Sequence, residues 1–450
     1  MFDLEATIEY SDKIWRLKLD KNENTYGCFD SVLSIIKNTL TEDITKYPDG
    51  EKFISKLSKK YEINKENILL TTSTRESFKL LKELCICDNE NILKLNPFQN
   101  LSDLKEKITI KTKIIYINSP NNITGISLKA SAIEELVKIY PNVFFVINCN
   151  YVNFSYKISF KDFIELPKKY HNIAIIKSFS KDYSLAGLKI SFILSNEKIV
   201  KSLKRISPNS VNSIAINCAS IVLNDEKKLI EIKELNQNAK ELFIKELNMR
   251  NFKTTQSEAN FVLCDFENYC EFYYKKLIKH DIITENFFDN EMLSSYLRIT
   301  VPTLGGVKYL CEILNQKEML IFDSKSIIDK ENKLLISEKE LNKLSEKYDL
   351  IIHTDNYIKT EKIFKEYEIS KYFYIQKNEE ISDILKQIPY KTICYLSKDI
   401  NNIIKANIAQ IETIGILSND VDCQNTINNF KHIGTKFILN DINELSSYLF

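Results

Sequence analysis

The segment Lys177-Ser178-Phe179-Ser180-Lys181, followed by Leu185-Ala186-Gly187-Leu188-Lys189, groups lysines and serines in a pattern able to do chemistry. An apolar run, Ile173–Ile176, delivers the Ser-x-Ser-Lys turn, and a second cation, Lys189, follows a small-residue turn. A lysine amine can form an imine with an aldehyde, while hydroxyls and a nearby cation can hold a phosphate. The segment therefore suits a cofactor that carries both groups. A lone lysine after a strand is ordinarily a surface residue, so the reading rests on what accompanies it.

Further segments accompany it in a fixed order: Leu19-Asp20-Lys21-Asn22-Glu23-Asn24-Thr25-Tyr26-Gly27, Tyr47-Pro48-Asp49-Gly50, Ser119-Pro120-Asn121-Asn122-Ile123-Thr124-Gly125, Tyr151, and Tyr296-Leu297-Arg298-Ile299-Thr300. Taken singly, Asn122 could cap a turn, Arg298 could lie on a strand surface, and Tyr26 or Tyr47 could be ordinary half-buried tyrosines. Taken in order, the set resembles the fold type I pyridoxal-phosphate (PLP) enzymes, and among them the histidinol-phosphate aminotransferase group, over residues 1 to about 316. The resemblance implies PLP as cofactor and Lys181 as the Schiff-base lysine. Asn122 and Tyr151 would serve the phenolic oxygen and Asn148 would face the ring nitrogen. Ser178, Ser180, Lys189, Thr74 and Arg75 would hold the phosphate. Arg298 would clamp the substrate carboxylate through a bidentate pair, with Tyr26 beside the substrate. Tyr47 would reach the phosphate of the other subunit in a homodimer.

Several positions depart from that pattern. The family's Asp-Glu-Ala-Tyr segment reads Asn148-Cys149-Asn150-Tyr151 here, so no carboxylate pairs with the ring nitrogen. Losing such a desolvated pair costs on the order of 3 kcal/mol, roughly a hundredfold in rate. The glycine-rich phosphate turn reads Thr71-Thr72-Ser73-Thr74-Arg75-Glu76, without glycine, which leaves a helix N-terminus to offer its amides. Lys189 replaces an arginine fork by a point charge. The position of the stacking aromatic holds Ser102, with Phe98 as the nearest substitute.

Residues 317–450 resemble the haloacid-dehalogenase (HAD) phosphatases. Met319-Leu320-Ile321-Phe322-Asp323 looks like the strand ending in the nucleophilic aspartate, and Ile351-Ile352-His353-Thr354 like the strand ending in the phosphoryl-binding Ser/Thr. Lys325 stands where a second aspartate belongs, and the metal segment reads Ser397-Lys398-Asp399-Ile400-Asn401-Asn402. Magnesium needs clustered carboxylates, so Asp323 and Thr354 read as a degenerate site in an inactive domain, and no metal is expected.

These residues need elements to position them. Apolar runs at Ile68–Thr72, Lys113–Ile117, Val143–Asn148, Ile173–Lys177 and Ile190–Leu194 alternate with helical patterns such as Glu76–Cys85 and Ser131–Ile139, the signature of a mostly parallel covered sheet. A helical stretch, Asn209–Arg250, precedes strands at Phe261–Asp265 and Tyr296–Val301. A second βα series follows: Met319–Phe322, Leu350–His353, Thr392–Leu396, Thr413–Leu417 and Phe437–Leu439. The expected fold class is α/β: a PLP-dependent transferase fold followed by a Rossmann-like HAD-type domain. The first domain spans 1–316, with a large lobe at about 45–205 and a small α+β lobe at about 206–316 plus the N-terminal arm. The second spans 317–450, with the boundary near Gln316–Glu318. A net charge of +1 gives no field for nucleic acid or membrane. The ten cysteines are scattered, several in apolar runs, and the first residues are acidic, so the chain reads as cytoplasmic with free thiols. The activity expected is transamination of a small amino acid or amino-phosphate. The alternatives are decarboxylation of an amino-acid phosphate, or a decayed scaffold or regulatory subunit.

Overall fold

The computed structural model describes residues 15–86, 91–208, 211–315, 318–377, 381, 392–417 and 423–449. The chain divides into two compact units: Met1–Asp265 with Ile283–Asn286 and Tyr296–Cys311, and Phe266–Ile282 with Phe287–Ser295 and Glu312–Phe450.

In the first unit, six strands form one sheet in the order Ile68–Thr71, Ser191–Ser195, Ile173–Ser178, Phe144–Asn148, Thr112–Asn118, Asn91–Lys94. Alternate residues serve opposite faces: Ile115, Ile117, Phe145, Ile147 and Ile175 enter one core, and Ile114, Phe144, Val146 and Ile176 the other. That two-sided burial is why these strands read as continuous apolar runs. The strand Ser191–Ser195 runs antiparallel to both neighbours, so the sheet is mixed. The connection from Ser178 to Ser191 holds only a 3-10 turn, Ala186–Leu188, and no crossover helix. Without such a helix the strand returns antiparallel. It also sets Ser178 opposite Ser191, so that the turn carrying Ser180 and Lys181 lies beside Lys189.

The helix Thr74–Cys85 begins two residues before the expected Glu76, because the Ser73 hydroxyl accepts the Glu76 N–H at 3.1 Å and caps it. The stretch expected to be helical from Asn209 to Arg250 is two helices, Ser213–Val222 and Glu226–Met249. Asp225 restarts the second by accepting the Lys228 N–H at 3.1 Å; residues 209–210 lie outside the described residues. A smaller sheet follows in the order Leu17–Leu19, Ile282–Asn286, Tyr296–Thr300, Phe261–Asp265, Lys253–Thr254. Three of these strands, Leu17–Leu19, Ile282–Asn286 and Lys253–Thr254, are too short or too polar to show in the sequence pattern.

The second unit holds a six-stranded parallel sheet in the order Phe373–Lys377, Tyr348–Thr354, Glu318–Asp323, Thr392–Ser397, Thr413–Ile416, Phe437–Leu439. Leu320, Phe322, Leu350, Ile352, Leu396 and Ile414 form its core. The helix Cys270–Lys279 belongs to this unit, whereas the sequence grouped it with the first domain. Its Lys276 Nζ lies 2.7 Å from Asp349 Oδ2, the two side chains 2% and 8% exposed, and its Phe272 ring packs 5.0 Å from Tyr374. The boundary expected at Gln316–Glu318 falls on residues 316–317, outside the described residues. Among the described residues no helix is long and apolar enough to cross a membrane, and Cys28, Cys85, Cys149, Cys218, Cys311 and Cys394 are free thiols.

Candidate active site

The strand Ile173–Ser178 carries the Ser178–Lys181 turn at its carboxyl end, beside the ends of Thr112–Asn118 and Phe144–Asn148. The N-terminal arm crosses this edge. Lys181 Nζ donates to the Lys21 carbonyl at 2.6 Å and stands 5.9 Å from the Tyr151 ring centroid. Asn22, one residue on, donates from Nδ2 to Tyr151 Oη at 3.1 Å. Its backbone, at a φ of 53°, is pinned by Thr300 Oγ1 at 3.0 Å. Arg298, on Tyr296–Thr300, donates from Nη2 to the Asp20 carbonyl at 2.9 Å and from Nη1 to the Asn122 carbonyl at 2.8 Å. Three consecutive residues, Asp20, Lys21 and Asn22, thus tie together the guanidinium, the lysine amine and the tyrosine. Glu285 lies 3.5 Å from Arg298 Nη2, while Arg298 Nε is buried with no hydrogen-bond partner among the described residues. An unmatched buried donor on a cation is a place for an anion to dock.

A second network joins the asparagines. The Asn150 N–H donates to Asn148 Oδ1 at 3.3 Å, Asn148 Nδ2 to Asn118 Oδ1 at 2.8 Å, and Asn118 Nδ2 to Asn122 Oδ1 at 3.1 Å. A backbone N–H can only donate, so it fixes the direction of the whole relay. The relay leaves the Asn122 amide nitrogen outward with its protons available. The Tyr116 phenol, pushed up by burial, lies against the same Asn148 amide.

The phosphate donors form the third group. Ser178 Oγ donates to Ser180 Oγ at 2.9 Å, and Ser178 Oγ accepts the Ser180 N–H at 3.1 Å. Thr74 opens its helix, and Arg75 and Lys189 are exposed. Beneath the turn, Lys177 and Asp182 form a buried pair at 2.5 Å, and burial raises the Asp182 carboxyl above its usual range.

Not every expected residue is brought in. Tyr47 is 100% exposed. Tyr26 donates from Oη to the Leu235 carbonyl at 2.8 Å, and burial pushes its phenol up to about 12. Phe98 packs 5.5 Å from Tyr296. Three residues to which the sequence assigned no role, Asn22, Asn118 and Asn150, turn out to organise the site. In an asparagine-rich chain their only signal is position, each within four residues of an assigned one.

In the second unit, Asp323 is buried and hydrogen-bonded throughout. Its Oδ2 accepts Ser397 Oγ at 2.7 Å and Asn402 Nδ2 at 3.0 Å, and its Oδ1 accepts the Lys325 N–H at 3.1 Å. Thr354 Oγ1 bonds Thr360 Oγ1 at 2.9 Å, and Lys325 Nζ lies 3.3 Å from Asp355. Among the described residues no cluster of His, Cys, Asp or Glu could hold a metal ion.

Known proteins resemble this chain in both sequence and fold. Residues 94–314 match the family model "Aminotransferase class I and II". The first unit has the α/β fold of the PLP-dependent transferases. Structures with that fold include histidinol-phosphate aminotransferase from Sinorhizobium meliloti in complex with pyridoxal-5'-phosphate (TM-score 0.59, 17% identity, covering 67% of this chain and 90% of that one). Another is the enzyme of the same name from Clostridium acetobutylicum (TM-score 0.59, 20% identity, 66% and 98%). In sequence, the chain is 27% identical over 332 residues to histidinol-phosphate aminotransferase from Caldicellulosiruptor saccharolyticus, covering 66% of this chain and 92% of that protein. Over residues 94–314 the chain is thus similar to the class I and II aminotransferases, and to proteins named histidinol-phosphate aminotransferase among them. The Sinorhizobium meliloti structure of that fold holds pyridoxal 5'-phosphate. The residues present fit that group: an amine for its aldehyde, an outward amide at Asn122 for its phenolic oxygen, and hydroxyls, a helix N-terminus and two exposed cations for its phosphate.

Proposed function

We propose that the first unit is a PLP-dependent aminotransferase acting on a small amino acid or amino-phosphate, with Lys181 as its reactive lysine. One observation carries the reading: Lys181 and Arg298 are anchored on adjacent carbonyls, Lys21 and Asp20, which sets an amine and a carboxylate fork one residue apart. Bound PLP supplies an aldehyde that engages amines and a ring that takes up the electrons of a broken Cα–H bond. The chain supplies the rest. Arg298 holds the substrate carboxylate through its unmatched Nε, with Nη1 and Nη2 keeping the guanidinium in place. Lys181, beside the Tyr151 ring, carries the proton to and from the substrate carbon. Asn122 and Tyr151 donate to the phenolic oxygen, and Asn22 fixes Tyr151 for that task. The relatives' names favour a substrate bearing a phosphate.

A homodimer completes this picture. Tyr47 stands on a face with Leu40 and Ile44 exposed, as a residue serving a partner's site would. The second unit we read as a degenerate HAD-type domain: the strand order places Glu318–Asp323 centrally, and every Asp323 oxygen is engaged within the fold. Mg²⁺-dependent phosphatase activity lost in Asp323→Asn would contradict that.

Borohydride reduction followed by peptide mass spectrometry tests the main reading. A pyridoxyl group on Lys181, absent in Lys181→Ala, is the expected result. Glutamate should then bleach the visible band without releasing carbon dioxide; release of carbon dioxide from an amino-acid phosphate would assign a decarboxylase instead. A protein that takes up no PLP is a scaffold, and the proposal fails.

A further inference from the structure

We propose that Asn150 is a positioning residue that braces the two arms of the phosphate site; this deepens the aminotransferase reading and rests on it. Asn150 lies two residues beyond the strand Phe144–Asn148 and is 7% exposed. Its Oδ1 accepts the Ser178 N–H at 2.8 Å, and its Nδ2 donates to Thr74 Oγ1 at 2.8 Å. A single amide therefore spans the Ser-x-Ser-Lys turn and the first residue of the helix Thr74–Cys85. The direction is forced: the Ser178 N–H can only donate, so the amide oxygen faces Ser178 and the nitrogen faces Thr74. The backbone of Asn150 is held as well, its carbonyl accepting from Lys177 Nζ at 3.5 Å, and Lys177 is paired with Asp182.

The brace sets which protons point outward. Thr74 Oγ1 accepts from Asn150, which leaves its own O–H as a donor. Ser178 donates to Ser180, which leaves the Ser180 O–H as another. With Arg75 and Lys189 exposed beside them, the arrangement suits a phosphate monoester dianion. The turn Thr71–Glu76 has no glycine to let backbone close around a phosphate. Side chains must do that work, and they need a fixed separation.

The test compares PLP with pyridoxal, which lacks the phosphate, by titrating visible absorption in the full-length protein. Asn150→Ala should weaken PLP about tenfold and leave pyridoxal unchanged, the scale set by losing a buried hydrogen-bond bridge. Thr74→Val cuts the same bridge from its other end and also removes a phosphate donor, so it should weaken PLP at least as much and leave pyridoxal unchanged, even if Asn150→Ala folds poorly. Combining the two should weaken PLP no further than Thr74→Val alone. Equal weakening of PLP and pyridoxal, unaltered PLP binding, or additive losses would each overturn the brace. A wild-type protein that binds PLP no better than pyridoxal overturns the cofactor reading itself, and that result is visible before any variant is made.

Discussion

Restoring the family's aspartate at position 148 should fail to restore activity by itself. In isolation, Asn148→Asp offers a carboxylate to the ring nitrogen, an effect of about 3 kcal/mol, or roughly a hundredfold in rate. But Asn148 Nδ2 now donates to Asn118 Oδ1 at 2.8 Å, and a carboxylate there sets oxygen against oxygen. Asn118 must turn to donate, which points its oxygen at Asn122 Oδ1, 3.1 Å from its present nitrogen. Asn122 then turns as well and withdraws its outward amide protons. A hydrogen bond to a charged oxygen is worth about 1.5–3 kcal/mol, so the gain is largely cancelled. Single-turnover rates with glutamate should change by less than about tenfold, and the pH midpoint of the visible absorption should rise. Asn148→Asp combined with Asn118→Ala frees Asn122 and should exceed Asn148→Asp alone by about tenfold or more. A hundredfold gain from Asn148→Asp alone, with the midpoint unmoved, would refute the relay.

Arg298→Lys should raise KM for a carboxylate-bearing substrate by about tenfold to a hundredfold with a smaller effect on kcat, because a point charge replaces a fork anchored on Asp20 and Asn122. In the second unit, Asp349→Asn strands the buried Lys276 and should destabilise that unit by about 3–5 kcal/mol in denaturant titration. Lys279 gives the unit a pH dependence. Its Nζ lies 3.5 Å over the Tyr374 ring without a hydrogen bond; burial lowers its pKa from 10.5 to about 7, with Lys276 lowering and Asp349 raising it. Below about 7 the folded and unfolded chains both hold the proton, and the penalty is constant. Between about 7 and 10.5 only the unfolded chain holds it, so stability should climb with pH by at most about 1.4 kcal/mol per unit. Lys279→Met should flatten that climb, and an unchanged slope would show the amine to be solvated.

Much of this protein was legible before folding was considered. The apolar runs at Ile173–Lys177, Val143–Asn148 and Phe261–Asp265 mark strands because both their faces are buried, and burial on two faces leaves a continuous apolar signature. Lys181, Arg298 and Asn122 could be put forward as site residues because each lies in a segment that resembles a motif of a known family. The asparagines at 22, 118 and 150 could not, because each acts through a partner distant in sequence and none differs in composition from its neighbours.

The sequence by itself determined the inventory: a lysine in a serine turn, an arginine on a strand, a carboxylate missing at 148, and a second series of βα units with its acidic pattern broken. Only the tertiary structure decided how these act together. It reversed the strand Ser191–Ser195, assigned the helix Cys270–Lys279 to the second unit through a pair 73 residues apart, and oriented the amide relay. The physical reason is common to all three. Periodicity and residue type record what a side chain needs locally, burial or solvent. Hydrogen-bond direction and charge pairing depend on which distant backbone groups arrive beside it, and that is settled only when the chain closes on itself.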